Sequence, residues 1–242
     1  MKSQAKQLLW VMIFAVAMAY VESAVVVYLR RIYGIGADIL TAPSFDPQIG
    51  AIEAGRELAT LLMLLSVGWL AGKNFKSRLG YAIFAFGIWD IFYYIWLRVF
   101  IGWPVTPLDT DLLFLLPLPW WGPVLAPCLV ALLMAVAGVR LALSEAGGYE
   151  LRPSSAEWGL LVSGILILLY SFMADALAAL PADIQTLGKV RLTVFDWPVF
   201  LFGLILVAIF VWRAFKPPLD VSAPAGPAGE NGAGEGSQQP KH

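Results

Sequence analysis

The chain alternates long apolar runs with short polar stretches, and run length says what the runs are. Crossing a hydrocarbon core of about 30 Å takes roughly 20 helical residues at 1.5 Å each. Six runs fit: residues 8–29, 47–71, 79–102, 123–143, 158–180 and 197–212. The last is the shortest, which suits a helix with little tilt or a locally thinned bilayer. Local chemistry marks several starts. Asp46-Pro47 supplies an N-cap with proline at the first helical position, Ser154-Ser155-Ala156-Glu157 fits a capping box, and Asp196 caps the last run. The expected fold is all-α, a polytopic membrane bundle of six transmembrane helices with both termini cytoplasmic.

Residues 103–122 break the alternation. Pro104, Pro107, Pro117 and Pro119 punctuate a short apolar segment, 112–116, that is too short to cross. It is expected at the outer surface or as a re-entrant segment packed on the bundle. Residues 30–46 contain Gly34, Gly36 and Pro43 and read as a solvated connection. In residues 217–242, Pro, Gly, Ala, Ser and Glu replace large apolar residues. Too little burial is available there to offset ordering entropy, so a disordered cytoplasmic tail is expected after a membrane domain of 1–216. The first run follows Lys2 and Lys6 and holds Ala17-Met18-Ala19, the outline of a cleavable signal. It continues past Glu22-Ser23, beyond a signal core of about 7 to 15 residues, and is expected to be retained.

Composition agrees and removes function classes. Of 242 residues, 60% are hydrophobic and 14% charged, with a mean hydropathy of +0.76. A soluble domain carries about 25% charged residues, so a water-exposed surface is not available here. Sixteen Lys and Arg against 17 Asp and Glu leave no cationic surplus for a phosphate backbone, and no nucleic-acid partner is expected. One cysteine, Cys128, and one histidine, His242, remove an internal disulfide, haem ligation, His-based zinc and Ser/His or Cys/His nucleophile chemistry. No cofactor and no resident metal is called for. Lys2, Lys6, Lys73, Lys76, Arg78, Arg140, Arg152, Arg213, Lys216 and Lys241 fall on one side of the six-run scheme, against Arg30, Arg31, Lys189 and Arg191 on the other. The positive-inside rule then places both ends in the cytoplasm, and a plasma-membrane location is the expectation. Trp10, Trp69, Trp103, Trp120, Trp121, Trp158, Trp197 and Trp212 all fall at run ends, where amphipathic rings favour the interface.

Depth singles out the remaining charges. Glu22, Glu53, Arg56, Glu57, Asp90, Arg98 and Asp175 lie inside the runs, from near their middles to their outer ends. An unpaired charge at that depth is costly, so such groups face protein or water and find partners. Glu53, Arg56, Glu57 and Thr60 recur at i, i+3, i+4 and i+7 and share one helix face. Arg56 can pair with Glu53 or Glu57, which leaves one carboxylate over. Asp90 shares a face with Tyr93 and Tyr94, and Ser171 with Asp175, which sets hydroxyls beside carboxyls. A polar network that fixes helix register is the bland alternative. Five embedded carboxyls and two arginines exceed what register requires, so a site is the stronger expectation. Smaller features read as structural: Ala15, Ala17 and Ala19 as a small-residue packing surface, Pro127 as a kink, Met12 and Met18 as core filling, Cys128 as a small buried hydrophobe.

Three function classes stay open. Buried carboxylates reachable from outside suit binding or translocation of a small cationic or polar solute, with proton coupling. A membrane enzyme would set one carboxyl to acid-base work and an arginine to holding a lipid-linked substrate at the outer leaflet. No H-E-x-x-H, G-x-S-x-G or P-loop is present to support it. A non-catalytic subunit would meet a membrane-protein partner, or a second copy of itself, through the alanine stripe or the aromatic third run.

Overall fold

In the computed structural model, residues 2–36, 39–41, 46–144 and 150–216 are described. The helices are α1 (Lys2–Ile32), α2 (Pro47–Ala71), α3 (Phe75–Ile101), α4 (Leu125–Ala142), α5 (Ser155–Ala178), the one-turn α6 (Ile184–Leu187) and α7 (Trp197–Arg213). Five of them, α1 to α5, are long and apolar enough to cross a membrane, and α7 is a shorter apolar helix. Each long helix presents large hydrophobic side chains outward, among them Trp10, Leu62, Val99, Leu132 and Leu166. Water would not tolerate so continuous an apolar exterior, whereas lipid matches it, and the chain is a multi-pass membrane protein. The tail expected over 217–242 lies outside the described residues.

The expected caps form. Asp46 accepts from Gln48 N ahead of Pro47, Ser154 and Glu157 close a reciprocal capping box, and Asp196 accepts from Val199 N. Asn74 and Ser77 make a second box at the start of α3. These bonds satisfy orphan N–H groups that lipid cannot.

α3 is the central helix, against which α1, α2 and α4 all pack. Its closest neighbour is α4, because both helices carry small residues where they cross. A methyl at Gly80 would overlap the Ala142 backbone, one at Gly87 the Ala131 carbonyl, and one at Gly138 the Phe84 backbone. On α4, Ala131, Ala135, Gly138 and Ala142 recur at helical spacing and form the facing stripe. α5 and α7 make a separate pair through Gly164 and Gly203, joined to the rest by the aromatic cluster of Phe172, Phe195 and Phe200. On α1, Ala15 and Ala19 are fully buried while Ala17 is exposed. The expected three-alanine surface is therefore two residues wide, since alternate positions on a helix point apart. Pro127 makes no kink; it occupies the first turn of α4, where its missing N–H costs nothing. Of the two methionines expected in the core, Met18 packs there and Met12 is exposed.

The fold is not purely helical. Residues 103–122 form an antiparallel hairpin, β1 (Thr110–Phe114) and β2 (Trp120–Pro123), and β3 (Glu150–Leu151) pairs with β4 (Phe215–Lys216) at the opposite end. The hairpin is packed protein, as the proline-rich segment led one to expect. Trp103, and Trp121 on β2 itself, are buried and not set at an interface, whereas Trp10, Trp69, Trp158 and Trp212 are exposed.

Gly138→Leu is expected to force α3 and α4 apart and to cost at least about 1–3 kcal/mol, read as a lower Tm in detergent. Gly159 has open space around it, and Gly159→Ala is expected to raise stability by up to about 1 kcal/mol. Equal Tm values for both variants would show that the seam is not tight.

Candidate functional site

The embedded charges meet at the hairpin end, where α1, α2 and α3 converge. Counted at about 1.5 Å per residue from the helix ends there, Glu22, Glu57 and Asp90 all lie about 15–17 Å down. Helical periodicity turns Glu53, Arg56, Glu57 and Thr60 to one side of α2. From it Arg56 ion-pairs with Glu22 on α1, and its Nε donates to Glu53 Oε2 at 2.8 Å. Thr60 Oγ1 donates to the second oxygen of Glu22 at 3.0 Å. Ser23, beside Glu22, donates to the carbonyls of Ala19 and of Tyr93 and so ties α1 to α3. Glu22, Glu53 and Glu57 are each about 5–6% exposed, so Arg56 compensates carboxylates that water scarcely reaches.

The hairpin completes this end. The backbone N–H of Leu115 donates to both oxygens of Glu57 at 3.0 Å. Arg30, at the end of α1, reaches Asp111 Oδ1 on β1 at 3.4 Å and lies over the Trp103 ring, 3.8 Å from its centre. Burial, partly opposed by the Arg30 charge, pushes the Asp111 carboxyl up to about 6. Asp109, in the preceding turn, is held low: its slight burial is outweighed by bonds from Thr106 and the Val105 N–H.

Between these groups is a cavity of about 140 Å³. Glu22, Glu53, Arg56, Glu57 and Asp90 line it, together with Arg30 and Asp111. The Asp90 carboxylate is half-buried in its wall and, among the described residues, makes neither a hydrogen bond nor an ion pair. Its neighbours Tyr93 and Tyr94 line the same cavity without bonding to it. Aromatic rings form much of the rest. Phe114 on the hairpin stacks on Phe86 with centroids 6.5 Å apart and lies 6.4 Å from Trp89, and Trp120 joins it at 5.5 Å. The 30–46 connection is not merely solvated, since Ile35 and Ile39 also line the cavity.

Two expected residues lie elsewhere. Arg98 donates to the carbonyls of Gly102 and Pro104 and closes the C-terminus of α3. Asp175 accepts from the hydroxyl and N–H of Thr193, fastening α5 to the connection before α7, while Ser171 donates to Leu168 O and not to Asp175. Sequence reasoning set Arg30 among the charges of the outer side, did not single out Asp111 as a site residue, and left the aromatic wall unread. An acid immediately before the apolar run that begins at Leu112, directly after Asp109-Thr110, was the available signal. Among the described residues, no three His, Cys, Asp or Glu side chains gather as metal ligands. Comparison with family models, with curated proteins and with solved structures returns no match.

Arg56→Met leaves Glu22 and Glu53 without their cation and is expected to cost about 3–5 kcal/mol. Adding Glu22→Gln and Glu53→Gln should restore part of that Tm loss. A single variant as stable as the parent would show that the cluster does not bind the helices. A second expectation concerns pH. Asp111 holds its proton more tightly folded than unfolded, so its contribution to stability is full below about pH 4 and is lost as pH rises through about 6. Asp111→Asn should therefore flatten the change in Tm between about pH 4 and 7.

Proposed function

We propose that this is a six-span membrane protein with both ends in the cytoplasm, whose cavity faces outward and binds a small cationic solute as the first step of carrying it inward. The observation that carries the reading is Asp90, a carboxylate without a cation in a cavity that already holds more acids than arginines. Arg56 serves Glu22 and Glu53, Arg30 serves Asp111, and a backbone N–H serves Glu57. Five acids against two arginines leave the cavity with an excess of negative charge, and Asp90 is the acid that nothing in the protein bonds among the described residues; binding a cation there repays the cost of holding that charge out of water. α7 supplies the sixth crossing at 17 residues, short enough to require little tilt. The asymmetry of Lys and Arg sets the cavity end outside.

An enzyme for a lipid-linked phosphate fits less well, because both cavity arginines are already committed to carboxylates and neither is free to clamp an anion.

Asp90→Asn and Glu57→Gln keep side-chain volume and are expected to fold. In the purified protein, chloride salts of small cations should raise the parent Tm saturably, and uptake into proteoliposomes should follow the same order of cations. Both effects should fall at least about tenfold in affinity in Asp90→Asn. A Tm response identical in parent and variant would sink the reading. Orientation is tested by single cysteines at Gly36 and Lys76 in a Cys128→Ser background. An impermeant maleimide should label the first from outside the cell and the second only after permeabilisation.

A further inference from the structure

We infer that the solute is a small N-methylated ammonium compound, held by aromatic faces and one carboxylate and not by a cage of hydrogen bonds; this rests on the cation reading above. Size sets the first limit. A cavity of about 140 Å³ holds the volume of about four or five waters, well below the roughly 300 Å³ at which drug-sized pockets begin. The ligand has few non-hydrogen atoms.

Acceptors set the second limit. A hard divalent cation demands six or more oxygens, and a primary ammonium demands three acceptors. The unpartnered acceptors on its acids are the Asp90 carboxyl and one oxygen of Asp111, Oδ2, too few for a divalent cation and at most the minimum for a primary ammonium, and no metal-type cluster gathers among the described residues. A fully methylated ammonium makes no N–H bonds and needs only a counter-charge and surfaces of negative potential. Ring faces supply that potential, and aromatic cages bind such cations for this reason. Here Phe86, Trp89, Tyr93, Phe114, Trp120 and Phe172 line the cavity in one connected series of ring contacts. Two of them carry unused donors: among the described residues, the indole Nε1 groups of Trp89 and Trp120 are buried without a partner, and Trp89 is 4% exposed. An oxygen on the ligand, or water retained beside it, would take up these donors.

The ammonium can belong to a free solute or to a choline lipid headgroup, and the test separates them. The full chain is reconstituted in nanodiscs of phosphatidylglycerol, and tryptophan fluorescence is titrated with tetramethylammonium, ammonium, sodium and magnesium chlorides and with neutral tert-butanol at constant ionic strength. Tetramethylammonium alone is expected to change the emission saturably, with affinity reduced at least about tenfold in Asp90→Asn and in Trp120→Leu. Saturable binding of ammonium, sodium or magnesium without a tetramethylammonium response would overturn this inference and leave the cation reading standing. Silence towards every salt would overturn both. A tert-butanol response equal to that of tetramethylammonium, unchanged in Asp90→Asn, would also overturn both, because charge would then play no part. In phosphatidylcholine nanodiscs, a tetramethylammonium response that is lost identifies the lipid headgroup as occupant, and one that persists identifies a free solute.

Discussion

A guanidinium shared by two carboxylates at membrane depth is the constraint from which the hairpin end of this protein follows. α1 and α2 each pack on α3 far more than on one another. What joins them is Arg56, reaching Glu22 across the gap and Glu53 on its own helix, with Thr60 closing the second oxygen of Glu22. In water such a group would contribute little, because exposed ion pairs are screened and entropically costly. Buried, it is held by the penalty for separation: removing Arg56 strands both carboxylates in low dielectric. Glu22, Glu53 and Arg56 therefore fix the rotation of two helices that their apolar faces alone would leave loosely specified.

The hairpin is where the same constraint meets the backbone. Non-helical chain at membrane depth is tolerable only when protein surrounds it and its polar groups are satisfied. The Leu115 N–H, beyond the last rung of β1, finds its acceptor in Glu57, and Asp111 finds its cation in Arg30. Helix and hairpin thus complete each other. The aromatic rings of Phe114 and Trp120 come with the hairpin and are set against Phe86, Trp89 and Phe172 of the helices, so the cavity wall exists only in the assembled fold. Below this polar end the bundle tightens, with Ala15, Ala19 and Leu64 packed on Tyr81 and Ala85, and the α3–α4 seam drawn close by Gly80, Gly87 and Gly138. A polar cavity at one end and close small-residue packing toward the other is a division of labour within a single bundle.

Much of this was legible in the residues. Apolar run length gave α2 at its observed bounds and placed the ends of the others within four residues, except that α1 starts six residues before its run, because hydrocarbon thickness limits the apolar stretch and not the helix that continues beyond it. Asp46, Ser154 and Asp196 marked helix starts because an unsatisfied N–H is costly in lipid. The one-face spacing of Glu53, Arg56, Glu57 and Thr60 showed that they would point inward together. It could not show which helix they would meet, and it left Arg98, which closes the end of α3, and Asp175, which ties α5 to the connection before α7, indistinguishable from cavity charges. The small-residue stripe of α4 was present at positions 131, 135, 138 and 142 and went unread, whereas Ala15, Ala17 and Ala19 were grouped by adjacency and not by helical phase.

The sequence by itself determined that the chain lives in a membrane, where its helices begin and end, and which charges are too deep to stand alone. Those properties depend on local composition and on a period of 3.6 residues, and both are written along a single segment. Only the tertiary structure decided that Arg56 serves Glu22, that Arg30 reaches Asp111 across 81 residues of chain, and that Asp90 is left without a cation among aromatic rings. Partner choice between distant segments depends on helix rotation and on the path of the hairpin, and no single segment encodes either one.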